Sequence, residues 1–135
     1  MKIEIPSIQE QQKIIFEKAT LAAIERLQRN LEAPVVEPQI AVDESLFSRA
    51  HLLDEKRFEP PPAEIVRAYF EHFQGHFPDY DTDKKLADLL GVSGNRRIRE
   101  YKSGARNVQF EVWRKFLIIT GRVPQDVLPV LAYMS

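Results

Sequence analysis

The sequence predicts an all-α protein, a compact bundle of about five short helices with an N-terminal helical arm. Two observations carry this expectation. Apolar residues recur at spacings of three and four through residues 8–33 and again from Ala63 onward. Residues that start or stop helices, Thr82, Ser93, Gly91, Gly104 and Gly121, fall between the apolar runs. Prolines at 34, 38 and 60–62 separate the two zones, since proline lacks the amide hydrogen that a helix interior requires.

With 135 residues, 44% hydrophobic and 29% charged, the chain can bury one ordinary core but hardly two. The expected division is an acidic helical arm and linker at 1–57 and a helical domain at 60–135. No apolar run approaches the roughly 18 residues of a bilayer span. The start, M-K-I-E-I-P-S-I-Q-E-Q-Q, lacks the apolar centre of a secretion signal. A soluble cytoplasmic protein without a membrane partner is expected. The absence of cysteine excludes disulfides, thiolate nucleophiles and zinc fingers, and agrees with a reducing compartment.

Residues 8–33 read as one helix, with Ile14, Ile15, Leu21, Ile24, Leu27 and Leu31 at roughly helical spacing. Gln28 and Glu17 interrupt its best heptad phase, so docking on a neighbour or on a second copy is expected rather than a long coiled coil. Pro34 and Pro38 end it. A short helix capped by Asp43 is expected to reach about Arg57, with Leu46, Phe47, Ala50 and Leu53 on one side. The run Pro60-Pro61-Pro62 then marks the boundary.

Beyond it, Ile65, Val66, Tyr69, Phe70 and Phe73 form the face of a helix that Gly75 through Asp81 should break. Thr82 caps a short helix carrying Leu86, Leu89 and Leu90, which Gly91 ends. Ser93 is the expected cap of the next helix, which runs to about Ser103 before Gly104. On a helical wheel Ile98 and Tyr101 share one side of it, and Arg96, Arg99, Glu100 and Ser103 the other, with Arg97 at the flank. The segment from Phe110 to Thr120 is apolar around most of its circumference, as a central helix should be, and places Trp113 in the core. A final short helix is expected from Pro124, holding Val127, Leu128, Val130 and Leu131 and bent by Pro129.

Charge is distributed unevenly along this plan. Between Lys84 and Arg122 ten Lys or Arg stand against three acids, a net of +7, while the other 96 residues carry nine cations and 17 acids, a net of −8. A pI near 6.3 thus hides a basic module in an acidic chain, a footprint suited to a polyanion. A merely solvated cationic face is the alternative, and it leaves the clustering unexplained.

Two short helices around a Gly-containing turn, the second displaying basic residues, form the helix-turn-helix reader whose second helix enters the major groove. L-A-D-L-L-G-V-S at 86–93 resembles the second helix and turn of the lambda-repressor-like (Cro/XRE) DNA-binding domain. Ile98, Tyr101 and Gly104 resemble that family's apolar-aromatic-glycine pattern, and the resemblance covers about residues 63–122. The chain departs from the pattern at Asp83, where the family commonly has a phosphate-holding Gln, and at Lys102, where it frequently has Glu. One extra residue, assigned to Gly94-Asn95, lengthens the turn.

The resemblance implies a sequence-specific double-stranded DNA-binding protein, most often a transcriptional repressor, acting as a dimer. It implies Asn95, Arg96 and Arg99 as base readers, because Arg fits guanine O6 and N7 and Asn fits adenine. It implies Lys84, Ser93, Arg97, Lys102 and Arg106 as phosphate contacts. No enzyme activity, cofactor or metal is expected. His72 and His76 stand at metal-ligand spacing near Asp79 and Asp81, but surface or packing histidines are the preferred reading. The competing function is an interaction or adaptor protein, whose arm at 8–33 binds a protein partner while the basic face meets protein acids or RNA.

Overall fold

The computed structural model of the chain describes residues 4–134. They form five α-helices, α1 (Ile8–Asn30), α2 (Ala63–His76), α3 (Asp83–Leu90), α4 (Asn95–Ser103) and α5 (Phe110–Ile119), with no strand among the described residues. The fold is all-α. No helix among those residues is long and apolar enough to cross a membrane.

The chain divides into two units, one of residues up to Glu37 with those from Leu128 on, the other Pro38–Val127. The boundary therefore falls at 37/38, not at the triple proline. In the first unit Ser7 and Glu10 close a capping box at the start of α1, each accepting from the other's amide. No residue of α1 is buried. An extended tail lies against its first half, where Phe16 meets Tyr133 edge to face at 5.1 Å. The expected helix after Pro124 is absent through Met134, and Leu128 and Leu131 are exposed. Pro129 inside so short a segment removes an intrahelical hydrogen bond and clashes with the preceding turn, which leaves too little to nucleate a helix.

The second unit is built around α5. Trp113, Phe116 and Leu117 are fully buried against Ile65, Val66, Tyr69 and Phe70 of α2, Leu86 of α3, and Ile98 and Tyr101 of α4. Each such side chain contributes about 1.5–3 kcal/mol of hydrophobic stabilisation. Trp113 stacks on Tyr69 at 5.6 Å and on Phe116 at 5.4 Å. Contrary to the sequence expectation, α2 runs through Gly75 to His76, and a single 3-10 turn at Pro78–Tyr80 follows. The rings of His72 and His76 pack edge to face on it, 4.8 Å apart.

Residues 38–59 form a strap over this core, in place of the short helix expected from Asp43 to about Arg57. Between Asp43 and Arg57 only two 3-10 turns form, Glu44–Leu46 and Ala50–Leu52. Side chains capture the backbone amides that a helix would use: Asp43 accepts from Ser45, Ser48 from Ala50, and Asp54 from Arg57. Val42, Phe47, Leu52 and Phe58 pack on the core, while Leu46 faces solvent. Polar contacts fix the strap. Tyr69 donates its hydroxyl to Glu44, and the Trp113 indole donates to Nδ1 of buried His51 at 3.1 Å. The Arg122 guanidinium lies 3.9 Å over the Tyr69 ring, a cation–π contact that turns this cation inward.

Burial, together with the Arg49 and Arg122 charges and against the attraction of Glu44, lowers the pKa of His51 from 6.5 to about 4. His51 is neutral in the fold, whereas the unfolded chain takes up a proton below pH 6.5. Stability is therefore full above pH 6.5 and is lost as pH falls toward 4, by about 3 kcal/mol from this group. Urea denaturation between pH 7 and 4 should show that loss, and His51→Asn should flatten it. A second expectation concerns Gly75, where an added Cβ meets nothing within 4 Å. Gly75→Ala should stabilise the chain by about 0.5–1 kcal/mol in the same assay, since it removes the flexibility of a mid-helix glycine at no steric cost.

Candidate nucleic-acid interface

Helix α3 starts where Thr82 accepts from the Lys85 amide at 3.2 Å, and it ends at Gly91 in the left-handed conformation. Residues 91–94 turn the chain into α4. Val92 dips toward the core, and Ser93 remains exposed. The cap of α4 is Gly94, not Ser93. Its φ of 129° suits glycine, and no side chain caps the helix. The extra residue of the turn thus places a backbone conformation, rather than a hydroxyl, at the helix start.

Helix α4 packs on α2 and α3 through fully buried Ile98 and Tyr101. Its first turn and outer side carry exposed Asn95, Arg96 and Arg99, with Arg97 half-buried at the flank. The Arg96 side chain is 88% exposed. Lys84 on α3 and Arg106 beyond α4 also face solvent. Gly104 stops α4 with φ 84°, and a Cβ there would lie 3.2 Å from the Ala63 side chain, so glycine also allows the end of α4 to approach the start of α2.

Lys102 is not placed as a surface phosphate contact. Its side chain is 17% exposed, and its Nζ donates to Asp83 and to Gln74, each at 2.8 Å. Gln74 also donates to Asp83 at 3.2 Å. Burial disfavours the charged form of Asp83, but the bonds from Lys102 and Gln74 outweigh it and hold the carboxyl below its usual range. One polar cluster thereby joins α2, the first turn of α3 and the last turn of α4. Arg67 of α2 adds a bond to the Lys102 carbonyl at 3.1 Å, satisfying an acceptor at the end of α4.

Arg67, Gln74 and the Asp83–Lys102 pairing are not among the residues expected from the sequence. A signal for the pair was available, because Asp83 and Lys102 depart from the resembled pattern with opposite charges. Arg114 is likewise structural: its side chain is 14% exposed, and it reaches the Leu52 carbonyl at 3.4 Å and Asp126 at 3.6 Å. With Arg122, three of the ten cations in the basic segment are committed to the fold.

Glu100 interrupts the remaining cations. Its carboxylate meets Arg106 at 3.0 Å and Arg96 at 3.3 Å, and the Arg106 hydrogen bond, followed by the charges of Arg106, Arg96 and Arg97, holds it below the usual carboxylate range against slight desolvation. The resulting surface presents planar donors and one amide on a helix whose opposite side is anchored. Comparison with protein-family models, curated proteins and solved structures gives no match.

Lys102→Ala should destabilise the chain by about 1–2 kcal/mol, because it leaves Asp83 and Gln74 short of a donor in a largely buried place. A thermal-melt double-mutant cycle with Asp83→Ala should return a coupling of at least about 0.5 kcal/mol. Additive losses would show that the two side chains do not support each other.

Proposed function

We propose that this chain is a sequence-reading double-stranded DNA-binding protein, a non-enzymatic transcriptional regulator of the repressor type, similar to the Cro/XRE class and acting as a homodimer. The observation that carries the reading is the division of α4 into a buried side, Ile98 and Tyr101, and an exposed side bearing Asn95, Arg96 and Arg99. A helix held from behind and armed with planar donors in front suits major-groove entry. Arg96 and Arg99 would read guanine and Asn95 adenine. Lys84, Ser93, Arg97 and Arg106 would meet phosphate, while Lys102 supports the helix from within. One module offers a small contact surface, so two copies reading half-sites about one turn apart is the arrangement that supports specific binding.

A second reading, an adaptor that binds a protein through residues 8–33, is favoured by one observation: α1 leaves Ile14, Ile15, Leu21 and Ile24 exposed. That apolar surface would equally serve the proposed dimer.

Binding to duplex DNA should weaken linearly in log affinity against log salt, with a slope of about −3 to −4 per protomer if roughly four phosphates are neutralised. On a site selected from random duplexes, Arg96→Ala and Arg99→Ala should each cost about 1–3 kcal/mol and relax one base position. Arg106→Ala should weaken all sequences alike. A flat salt response, or equal loss of specific and non-specific binding in the Arg96 and Arg99 variants, would reject the reading.

A further inference from the structure

Among its nine residues α4 carries a single acid, Glu100. An anion on the face proposed to meet DNA opposes phosphate, so its position calls for a physical reason. Its side chain is 24% exposed, and its two oxygens are divided between two arginines. Oε1 lies 3.3 Å from Nε of Arg96, one turn earlier on α4, and Oε2 accepts from Nε of Arg106 at 3.0 Å. The backbone strengthens the second link, since the Arg106 amide donates to the Glu100 carbonyl at 3.3 Å.

Stability is a weak explanation for the arrangement. An Arg preceding a Glu by four residues is the less favourable order on a helix, and exposed pairs of this kind contribute little. Presentation explains it better. Both arginines are engaged at Nε, the inner nitrogen of the guanidinium, which leaves the terminal Nη1 and Nη2 pair of each for a ligand. That pair matches the O6 and N7 acceptors of guanine, and a guanidinium biased toward one direction by its Nε contact has less side-chain freedom to lose on binding.

We propose that Glu100 is a positioning residue of the α4 face, directing Arg96 end-on toward a guanine edge and holding Arg106 beside the end of the helix. It exchanges general affinity for discrimination. This rests on the DNA-reading function proposed above. The negative charge weakens contact with any phosphate, while the directed Arg96 gains on the right base and loses on the wrong one.

The test uses the full chain and two duplexes, one selected by the unaltered protein from a random-sequence pool and one with that sequence scrambled. Affinities are measured across a salt series for the unaltered chain, Glu100→Gln and Glu100→Ala, with circular dichroism following the fold. Glu100→Gln, nearly the same shape without the charge, should weaken binding to the selected duplex roughly five- to tenfold. The same change should raise affinity for the scrambled duplex and steepen its salt dependence. Glu100→Ala should shift both duplexes in the same directions, and if that variant loses its helical signal the Gln variant decides alone.

Equal strengthening on both duplexes would overturn the inference, reducing Glu100 to a competitor of phosphate. Equal weakening, or no change, would overturn it as well. If the unaltered chain selects no sequence from the pool, the DNA-reading function fails and the inference with it. If the unaltered chain does select one and Glu100→Gln keeps the full preference, only the role of Glu100 fails.

Discussion

The burial of the Trp113 indole is the constraint from which the second unit follows. A ring of this size, closed off from solvent, needs close-packed apolar neighbours on its faces and an acceptor for its N–H. Tyr69 and Phe116 supply the faces. The acceptor comes from neither neighbouring helix but from His51 in the strap, so the core closes only when residues 38–59 lie over it. Tyr69 repeats the pattern, with one side against Trp113 and its hydroxyl on Glu44. Burial makes the bonds consequential, because an unmet donor there costs more than a made bond contributes.

The same division between inward and outward commitment organises the basic segment. Counted along the sequence it is one strongly cationic stretch, but the structure separates its cations by task. Lys102, Arg114 and Arg122 hold helices, strap and loop together, whereas Arg96 and Arg99 stand clear of the core. Asp83 and Lys102, separately puzzling against a Cro/XRE-like pattern, make sense as one pair of opposite charges across the bundle.

What could be read from sequence follows the range of the forces involved. Helices α2 to α5 were legible because local signals and burial agree there: Thr82 caps, Gly91 and Gly104 take left-handed turns, and Leu86, Ile98 and Trp113 all point inward. The strap was misread as a helix because Leu46, Phe47, Ala50 and Leu53 mimic helical spacing, while the short hydrogen bonds of Asp43, Ser48 and Asp54 decide the backbone. Ser7 with Glu10 forms an S-x-x-E signature that marks the start of α1 in the sequence. At the candidate interface, the wheel located exposed Arg96 and Arg99, yet no wheel could reveal that Lys102 turns toward Asp83, a partner nineteen residues away. Contacts of that separation depend on how helices pack, which periodicity does not encode.

The strap also determines where this chain can be divided without harm. The triple proline at 60–62 looks like a natural seam, but a fragment beginning there would leave behind His51, Phe47 and Phe58, whose ring meets Phe110 at 5.2 Å. Such a piece would keep α4 and lose the cover of its aromatic centre, exposing a sticky surface of the kind that drives proteins out of solution. The seam visible in composition and the seam that respects packing differ by more than twenty residues. Any portable version of the α4 module must therefore carry the strap with it, as a peptide that adds nothing to the exposed face of α4 and yet keeps the aromatic centre covered.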